Sequence, residues 1–390
     1  MRFGLDIRLT YYTTGGIARY MRHLAQLIPA ISPDAEHVQI FRRGHAMTYA
    51  DGVQRVDSWI PAHHRFETTL LGFELAPHGL DVLHSPDFIT PKFGAKHLVS
   101  TVHDLTFLLH PEFLTEDSRR YYGGNIGPSV ARADAVIAVS NATKADLVNL
   151  LDVPAEKVHV IYEGVSERFR PMSPEEIAPV LTQFDLSPGY ILFVGTFEPR
   201  KNVPGLLRAY AELRSRRSDA PPLVLVGNRG WLFDEAMRLI NSLKLTDHVR
   251  YFENLPDAEL PALYNGAHCL SLTSHYEGFG FPVLEAMNCG VPVVISDRAS
   301  LPEIAGGVAL EVSPDDSSAH ADALERLLFD ETLRADLRAR GLDRARAFTW
   351  ERCCRETVEL YRAVAEGRRY EAPAMALPES EIVRDQAPMP

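Results

Sequence analysis

The sequence predicts an α/β fold made of two Rossmann-like domains. Short apolar strands alternate with segments of helical periodicity along most of the chain, and this alternation is typical of parallel sheets covered by helices on both faces. At 390 residues, the chain is too long for one ordinary hydrophobic core. The segment 163–188 holds four prolines and no strand pattern, so it predicts the connection between the two domains.

Composition and charge favour a globular protein that binds no nucleic acid. Apolar residues make up 46% and charged residues 24% of the chain, as in ordinary soluble domains. The net charge of −12 argues against a nucleic-acid binder, which would neutralise phosphates with Lys and Arg. Residues 1–165 carry 15 Lys and Arg against 18 Asp and Glu, a balance of −3, which leaves −9 for the remainder. The N-terminal half is therefore the better candidate for peripheral contact with an anionic membrane or a lipid-phosphate acceptor.

The N-terminus and the cysteines favour a cytoplasmic location. The opening MRFGLDIRLT carries charges at Arg2, Asp6 and Arg8 and lacks the apolar run of a signal peptide. No apolar segment approaches the ~18 residues of a membrane span. The four cysteines show no metal-ligand spacing, and a reduced core cysteine is the default in apolar stretches. We therefore expect a cytoplasmic protein without a metal site.

The N-terminal half begins with a strand that runs through a Gly–Gly turn into a helix, which Pro29 is expected to end. Further strands and helices then alternate in the order of a parallel sheet. The predicted strands are Phe3–Ile7, His37–Phe41, Val82–Ser85, His97–Val102, Ala135–Ser140 and Val158–Tyr162. The predicted helices are Ile17–Ile28, Glu116–Ala131 and Asn141–Leu150.

The C-terminal half repeats the alternation and predicts a second Rossmann-like unit. Its predicted strands are Tyr190–Val194, Leu223–Val226, Val249–Phe252, Ala267–Ser274, Val291–Ile295 and Val308–Leu310. Its predicted helices are Val203–Arg217, Leu232–Leu243, Asp257–Tyr264, Pro282–Met287 and Trp350–Glu366. The predicted organisation is a first domain over 1–170, a second over 171–346, a terminal helix over 347–366, and a proline-containing tail over 367–390 that we expect to be disordered.

A glycine-rich turn, HYEGFG, joins a buried strand to a helix and carries the strongest chemical signal. Gly278 and Gly280, with Phe279 between them, let a ligand approach the main chain, and the N–H groups of the new helix favour an anion there. Glu277 and Glu285 flank the glycines. Because carboxylates repel phosphate, we interpret Glu285 as an acceptor for ribose hydroxyls and Glu277 for those of a transferred sugar. A solvated Glu near a helix start is the alternative.

A basic pair follows the strand 190–194 in the stretch GTFEPRKN. Gly195 and Thr196 begin this loop, and Arg200 and Lys201 end it just before a helix. Cations at the carboxyl end of a strand and before a helix N-terminus can hold a diphosphate through fork-like and point-charge contacts.

Two loops of the N-terminal half lie where ligands gather, at the carboxyl ends of predicted strands. Gly15–Gly16 is a phosphate-approach signal, although it lacks the full GxGxxG pattern. His103 follows a strand in TVHDL, with a purely structural hydrogen bond as the alternative, and the adjacent Asp104 is expected to be structural. His84 and Asp87, in HSPDF, are candidate contacts for an acceptor.

The stretch from Glu277 through GFGFPVL to Glu285 resembles the E-x7-E signature of retaining nucleotide-sugar glycosyltransferases of family 4, which have the GT-B fold. The order of elements is similar to that family over nearly the whole chain. The resemblance implies two Rossmann-like domains facing each other across a cleft, with the nucleotide held by the second and the acceptor mostly by the first. It also implies that the helix over 347–366 crosses back to the first domain.

The resemblance further implies roles for single residues. His103 matches a family His that contacts the donor sugar, and Gly15–Gly16 match a loop that faces the donor diphosphate. Lys201 matches a phosphate-binding Lys, whereas Thr196 stands where the family usually places an Arg, so Arg200 is the candidate replacement. The loops expected to cradle the base contain Gly227, Asn254 and Leu255.

These patterns together predict a glycosyltransferase that moves a hexose, with retention, from a nucleoside-diphosphate sugar to a glycan or lipid-linked acceptor in cell-surface polysaccharide or glycoconjugate assembly. No cofactor is expected, because the basic residues and the helix dipole would stabilise the leaving diphosphate. Similar family members include mannosyltransferases, so GDP-mannose is the first candidate donor. The alternatives are a non-catalytic sugar-nucleotide or glycan-binding protein, and another GT-B sugar-nucleotide enzyme such as an epimerase or a phosphorylase.

Overall fold

A computed structural model describes residues 1–113 and 116–373. They form two compact units, each built on one sheet whose strand pairings are parallel. Unit 1 comprises Met1–Gly164 together with the described residues from Phe348 onward, and unit 2 comprises Val165–Ala347. Helices pack against both sheets, which confirms the predicted α/β class with two Rossmann-like domains.

The sheet of unit 1 has seven strands: β1 (Arg2–Asp6), β2 (Glu36–Arg42), β3 (Gln54–Ser58), β4 (Leu80–Ser85), β5 (Ala95–Val102), β6 (Ala135–Ala138) and β7 (Val158–Val160). Their order across the sheet is β3-β2-β1-β4-β5-β6-β7. The order changes direction between β1 and β4, and open α/β sheets bind ligands outside the carboxyl ends of their strands at such a point. The helices before the second unit are α1 (Gly16–Ile31), α2 (Glu67–Leu75), α3 (Thr106–Leu109), α4 (Glu116–Arg132) and α5 (Asn141–Leu151).

The prediction that Pro29 ends the first helix is wrong, because α1 continues through it to Ile31. Proline lacks the N–H that would bond the carbonyl four residues earlier, which here belongs to Ala25. The side chain of Gln39, on β2, supplies the missing donor, since its Nε2 lies 2.6 Å from the Ala25 oxygen. A contact from strand β2 thus compensates for the missing N–H of the proline. No local sequence pattern indicates this contact.

The sheet of unit 2 has six strands in the order β10-β9-β8-β11-β12-β13, with the change of direction between β8 and β11. The strands are β8 (Tyr190–Val194), β9 (Leu223–Val226), β10 (Val249–Phe252), β11 (Ala267–Leu272), β12 (Val293–Ser296) and β13 (Leu310–Val312). The helices are α6 (Pro174–Gln183), α7 (Val203–Arg216), α8 (Phe233–Ser242), α9 (Leu260–Gly266), α10 (Phe281–Asn288), α11 (Leu301–Ala305), α12 (Ser317–Phe329) and α13 (Glu331–Ala345).

Among the elements that were not predicted are β3, α2, α12 and α13. β3 reads QRVDS, and its only fully buried residue is Ser58, so it lacks the apolar pattern on which strand prediction rests. Both α12 and α13 begin at aspartates whose side chains accept hydrogen bonds from the first helical turn, Asp316 and Asp330. A capping aspartate is a recognisable helix-start signal in a sequence, and these two were not used in the prediction.

The last helix, α14 (Trp350–Glu366), belongs to unit 1 and packs against α1, β4 and β5. The Thr349 side chain caps its first turn, and Gly367 ends it with φ +65°. The tail predicted to be disordered from residue 367 begins with structure, because Tyr370 is buried and its ring lies 5.1 Å from that of His159. From residue 374 onward, that tail lies outside the described residues. Within the described ranges, no helix combines the length and apolarity that crossing a membrane requires.

Candidate active site

Three of the predicted catalytic residues of unit 2 lie together. Lys201 and Arg200 belong to a short 3-10 helix, Pro199–Lys201, in the loop after β8, and Glu277 lies in the loop between β11 and α10. Because β8 and β11 are neighbouring parallel strands, the loops that follow their carboxyl ends adjoin. The cluster therefore lies at the point where the strand order of the sheet changes direction.

Glu277 binds both cations. Its Oε1 lies 2.5 Å from Lys201 Nζ and its Oε2 lies 2.7 Å from Arg200 Nη1. Ser274 donates a further hydrogen bond to Oε1 at 2.8 Å. Glu277 and Lys201 are buried. These contacts fill both acceptor positions of Oε1 and leave one on Oε2, which suits a sugar hydroxyl.

The charges of this cluster are fixed by their mutual contacts. Burial alone would raise the pKa of Glu277, but the charges of Lys201 and Arg200 and the hydrogen bonds from Lys201 and Ser274 outweigh it and lower that pKa to about 2. Burial, together with the Arg200 charge, lowers the pKa of Lys201, and Glu277 opposes that change. With all three groups ionised, these side chains carry a net charge of about +1. Arg200 also pairs through its Nε with Oε2 of the partly exposed Glu198 at 2.9 Å, which offsets that charge.

Several residues that the sequence analysis did not select hold the cluster in place. Asn202 takes a left-handed conformation at φ +52°, and its Nδ2 donates to the carbonyl oxygens of Thr273 and Pro314 at 3.2 and 2.7 Å. The N–H of His275 bonds the Arg200 carbonyl at 2.7 Å. The Ser300 hydroxyl lies 2.8 Å from the Glu277 carbonyl oxygen. These bonds join segments distant in sequence, so sequence spacing offers no signal for them.

The helix α10 begins at Gly280, which takes φ +106°. A Cβ at this position would lie 2.6 Å from the Leu301 side chain, so both the conformation and the packing require glycine. Glu285 is buried within the helix, and the Tyr264 hydroxyl donates to its Oε2 at 2.8 Å. The N-terminus of α10 thus directly follows the segment of Glu277, Gly278 and Phe279, as predicted for an anion-binding turn.

Close packing between the loops after β8 and β9 requires glycine at position 227. A Cβ on Gly227 would lie 2.0 Å from the carbonyl oxygen of Gly195, so the loops after β8 and β9 approach too closely for any side chain. Thr196 follows at the end of β8, and Asn254 takes φ +55° after β10, just before Leu255. These predicted donor-binding positions therefore lie along the carboxyl edge of three adjacent strands.

In unit 1, Gly15 caps α1 and is exposed together with Gly16. Gly15 has φ −65°, and a Cβ there would meet only the Thr13 hydroxyl, at 3.6 Å. The fold itself therefore does not require glycine at position 15. Close approach of a ligand would explain why glycine stands there.

His103 lies after β5, and an acceptor oxygen faces each of its two ring nitrogens. Its Nε2 lies 2.8 Å from the carbonyl oxygen of Pro86, and its Nδ1 lies 3.3 Å from Oε1 of the buried Glu163. Burial alone would lower the pKa of His103, but the Glu163 carboxylate outweighs it and raises that pKa. Two acceptors face the two nitrogens, so the site favours the imidazolium form. Sequence analysis missed Glu163, which lies 60 positions from its partner.

The two residues of HSPDF that were predicted to contact an acceptor, His84 and Asp87, lie in different environments. His84 is fully buried, and its nitrogens bond the Tyr361 hydroxyl at 2.5 Å and the Thr101 hydroxyl at 2.7 Å. Burial lowers its pKa to about 3, so it is a neutral core residue, and the expectation that it contacts an acceptor is wrong. Asp87 instead lies near the surface of unit 1 and bonds His63. Asp104 is structural as expected, because its Oδ1 accepts from the Thr106 N–H at 3.0 Å.

The described residues contain no group of three or more His, Cys, Asp or Glu side chains with the geometry of a metal site. All four cysteines are buried free thiols.

Comparison with known proteins gives consistent matches. Residues 14–169 match glycosyltransferase family 4, and residues 178–344 match the group 1 glycosyl transferases. The O-antigen chain mannosyltransferase B of Escherichia coli is 32% identical over 373 residues, which cover 90% of this chain and 97% of that protein. Sucrose-phosphate synthase from Thermosynechococcus elongatus has a similar structure, with a TM-score of 0.73 at 21% identity over 94% of this chain and 99% of that one. The lipopolysaccharide-biosynthesis glycosyltransferase WaaG gives 0.71 at 15% identity over 92% and 99%.

Proposed function

This chain belongs to glycosyltransferase family 4, with the GT-B fold, and from that premise we propose that it transfers a hexose from a nucleoside-diphosphate sugar, with retention, to a glycan or lipid-linked acceptor in polysaccharide assembly. The proposal includes mannose as the hexose and GDP-mannose as the donor. The support for mannose is the similarity to the Escherichia coli O-antigen mannosyltransferase.

The observation that carries the proposal is the contact of Glu277 with both Lys201 and Arg200, next to the N-terminus of α10. A leaving nucleoside diphosphate gains negative charge as the glycosidic bond breaks. Two preorganised cations and the N–H groups of a helix start stabilise that charge without solvent reorganisation. Lys201 acts as a point charge, whereas the guanidinium of Arg200 can form a bidentate contact.

In this mechanism Glu277 has two functions. It positions both cations, and the remaining acceptor position on its Oε2 orients a hydroxyl of the donor sugar. Its negative charge also stabilises the positive charge that the sugar ring gains in the transition state. Glu285 is proposed to bind the ribose hydroxyls. For His103 and Gly15–Gly16, the proposal keeps the roles that the family resemblance implies, contact with the donor sugar and with its diphosphate. It includes no cofactor, since Lys201 and Arg200 supply the neutralising charge.

The proposal also includes contact of unit 1 with an anionic membrane surface. Its support is two exposed aromatic side chains and one arginine: Trp59 and Phe73 are each 65% exposed, and the guanidinium of Arg43 lies 3.3 Å from the Trp59 ring centroid. Aromatic and basic side chains together favour a membrane interface. Sedimentation with anionic vesicles tests this point, and equal binding to neutral vesicles would contradict it.

The donor is tested by thermal unfolding with GDP-, UDP- and ADP-sugars. A ligand present at one hundred times its dissociation constant stabilises a protein by about 2.7 kcal/mol. We expect GDP-mannose to stabilise the chain most, and nucleoside diphosphate to appear in solution only when an acceptor is added. Stabilisation without any turnover would indicate a binding protein, and acceptor-independent turnover would indicate other sugar-nucleotide chemistry.

A further inference from the structure

A buried tyrosine of unit 2 bonds the carboxylate that we propose to hold the ribose. Tyr264 lies near the end of α9 and is fully buried, and its hydroxyl donates to Oε2 of Glu285 at 2.8 Å. Glu285 lies within α10 and is 3% exposed. The two residues are 21 positions apart, and the sequence analysis selected only Glu285. The hydrogen bond therefore joins a residue with a proposed role to one that has none assigned.

A buried carboxylate depends on its hydrogen-bond donors. Taking its charge out of water is costly unless polar partners replace the water. A hydroxyl that donates to an ionised carboxylate forms a charge-assisted bond, which is stronger than a bond between neutral groups. A glutamate side chain also has considerable rotamer freedom, which a ligand would otherwise have to restrict when it binds. The bond from Tyr264 restricts Glu285 before any ligand arrives.

The tyrosine itself is held by several parts of unit 2. Its ring packs edge-to-face against that of Phe169, with ring centroids 5.6 Å apart. The Phe169 carbonyl accepts a hydrogen bond from Nδ2 of Asn288, the last residue of α10, at 2.6 Å. The carbonyl of Leu263, next to Tyr264 in α9, accepts from the hydroxyl of Tyr190 on β8 at 2.6 Å. These contacts fix the ring, so its hydroxyl has a set direction.

The same hydrogen bond leaves acceptor capacity for a ligand. An ionised carboxylate has about four acceptor positions, and the Tyr264 hydroxyl uses one of them, on Oε2. A ribose presents two adjacent hydroxyls, and a carboxylate with a fixed plane can accept from both. A bond to one oxygen restrains the terminal torsion of Glu285, which decides where both oxygens lie. Tyr264 thereby sets the geometry that the ribose meets.

A purely structural role is the alternative, because buried hydroxyl groups are almost always hydrogen-bonded. Tyr210 has such a role in the same unit. It is also fully buried, and its hydroxyl donates to the carbonyl oxygens of Pro221 and His248 at 2.8 and 3.2 Å. Those carbonyls precede β9 and β10, at the sheet edge opposite to the candidate active site. Tyr264 differs because its partner is a carboxylate with a proposed ligand contact.

We propose that Tyr264 is a positioning residue for donor binding, whose hydroxyl orients Glu285 to accept hydrogen bonds from the ribose. The inference rests on the proposed role of Glu285, because it adds the residue through which that role is set. Contacts to the ribose act equally in the ground and transition states, so their loss raises the donor KM and leaves kcat unchanged. The effect should also depend on the ribose hydroxyls of the ligand, which a general defect of the fold would not.

The test compares Tyr264→Phe with Tyr210→Phe in the full chain. Each change removes one buried hydroxyl and keeps the ring, but only the first reaches Glu285. GDP, UDP and ADP are titrated by isothermal titration calorimetry. The tightest-bound of the three, expected to be GDP, is then compared with its 2′,3′-dideoxy analogue. Glu285→Gln and the double variant Tyr264→Phe/Glu285→Gln are titrated in the same way, and donor KM and kcat are measured for both tyrosine variants.

We expect the wild type to prefer GDP over the dideoxy analogue roughly 10-fold or more, and Tyr264→Phe to reduce that preference roughly 3- to 10-fold by weakening GDP alone. The donor KM of Tyr264→Phe should rise by the same factor at unchanged kcat. Tyr210→Phe should keep the wild-type preference and KM. In the Glu285→Gln background, Tyr264→Phe should have no further effect, because the two residues act through one contact.

The outcomes separate failure of the inference from failure of the proposed function. A wild-type protein that binds none of the three nucleotides, or that binds the tightest one and its dideoxy analogue equally, would refute the ribose contact of Glu285 and the inference with it. If the wild type prefers the ribose hydroxyls, three results overturn the inference alone: a wild-type preference in Tyr264→Phe, an equal loss for both ligands, or a full additional loss in the double variant.

Discussion

The two units have the same sheet order around their switch points but opposite charge arrangements there. In unit 2, between β8 and β11, one carboxylate, Glu277, lies between the two cations Lys201 and Arg200. In unit 1, between β1 and β4, one cation, Arg8, lies between the two carboxylates Asp6 and Glu67. The shared topology places polar residues at the same edge of each sheet, and the choice of residues sets the sign of the local charge.

This difference indicates which ligand each unit can take. Two preorganised cations beside a helix N-terminus can stabilise a leaving diphosphate. An excess of carboxylates repels phosphate and accepts hydrogen bonds from hydroxyls. The proposed transfer uses a donor with a diphosphate, and the two cations of the unit 2 cluster are consistent with that proposal.

The largest effect is expected from removing the central cation of unit 1. Arg8→Met leaves Asp6 and Glu67 buried without a counter-charge, which should lower the free energy of unfolding by about 3–5 kcal/mol. Lys96→Met is the control, because Lys96 forms an exposed pair with Asp81 and its loss should cost less than about 1 kcal/mol. Chemical denaturation measures both, and similar values for the two variants would show that the buried pair is not a structural element.

Removing the central carboxylate of unit 2 should affect catalysis instead. Glu277→Gln is expected to lower kcat about 10²-fold, equivalent to about 2.7 kcal/mol, while affinity for the nucleoside diphosphate is retained because Lys201 and Arg200 remain. Glu285→Gln should mainly raise the donor KM, since ribose contacts act equally in ground and transition states. Steady-state kinetics of both variants tests these roles. A wild-type kcat in Glu277→Gln would contradict them.

Loss of one cation of unit 2 should weaken phosphate binding selectively. Lys201→Ala is expected to reduce affinity for the nucleoside diphosphate roughly 10- to 100-fold, the range for a hydrogen bond to a charged group, and to leave affinity for the nucleoside unchanged. Lys244→Ala, a change at an exposed lysine of the same unit, is the control. Isothermal titration calorimetry with the nucleoside and with the nucleoside diphosphate measures both affinities. An equal loss of affinity for the two ligands would exclude a phosphate contact.

The smallest effect concerns the protonation of His103. Because Glu163 raises its pKa, the stabilising ion pair is complete below pH 6.5 and is lost as the pH rises through the raised value in the folded state. Asp87 also raises this pKa, and the neighbouring His84 is neutral near pH 7. NMR titration of the His103 ring should give a midpoint above 6.5 in the wild type and a lower midpoint in Glu163→Gln, where only the Pro86 carbonyl and Asp87 still oppose the effect of burial. An unchanged midpoint would mean that Glu163 does not set the charge of His103.

The sequence predicted the fold class and the loops that carry the site because both depend on local patterns. The strand–turn–helix around Glu277 and the basic pair before α7 are each contained in fewer than about a dozen residues. The partners that complete the clusters are distant in sequence: Glu67 lies 59 positions from Arg8, and Lys201 lies 76 positions from Glu277. Which residues pair across such separations depends on tertiary packing, and no spacing rule provides it.

The measurement closest to the central claim is the configuration of the product. The chain is incubated with GDP-α-D-mannose and an oligosaccharide that ends in mannose, and the reaction is followed by proton NMR together with the release of GDP. Retaining transfer predicts a new α-linked mannose that appears in step with GDP, and no GDP release without the oligosaccharide. A β-linked product, GDP release that is independent of the oligosaccharide, or no GDP release at all would contradict the account.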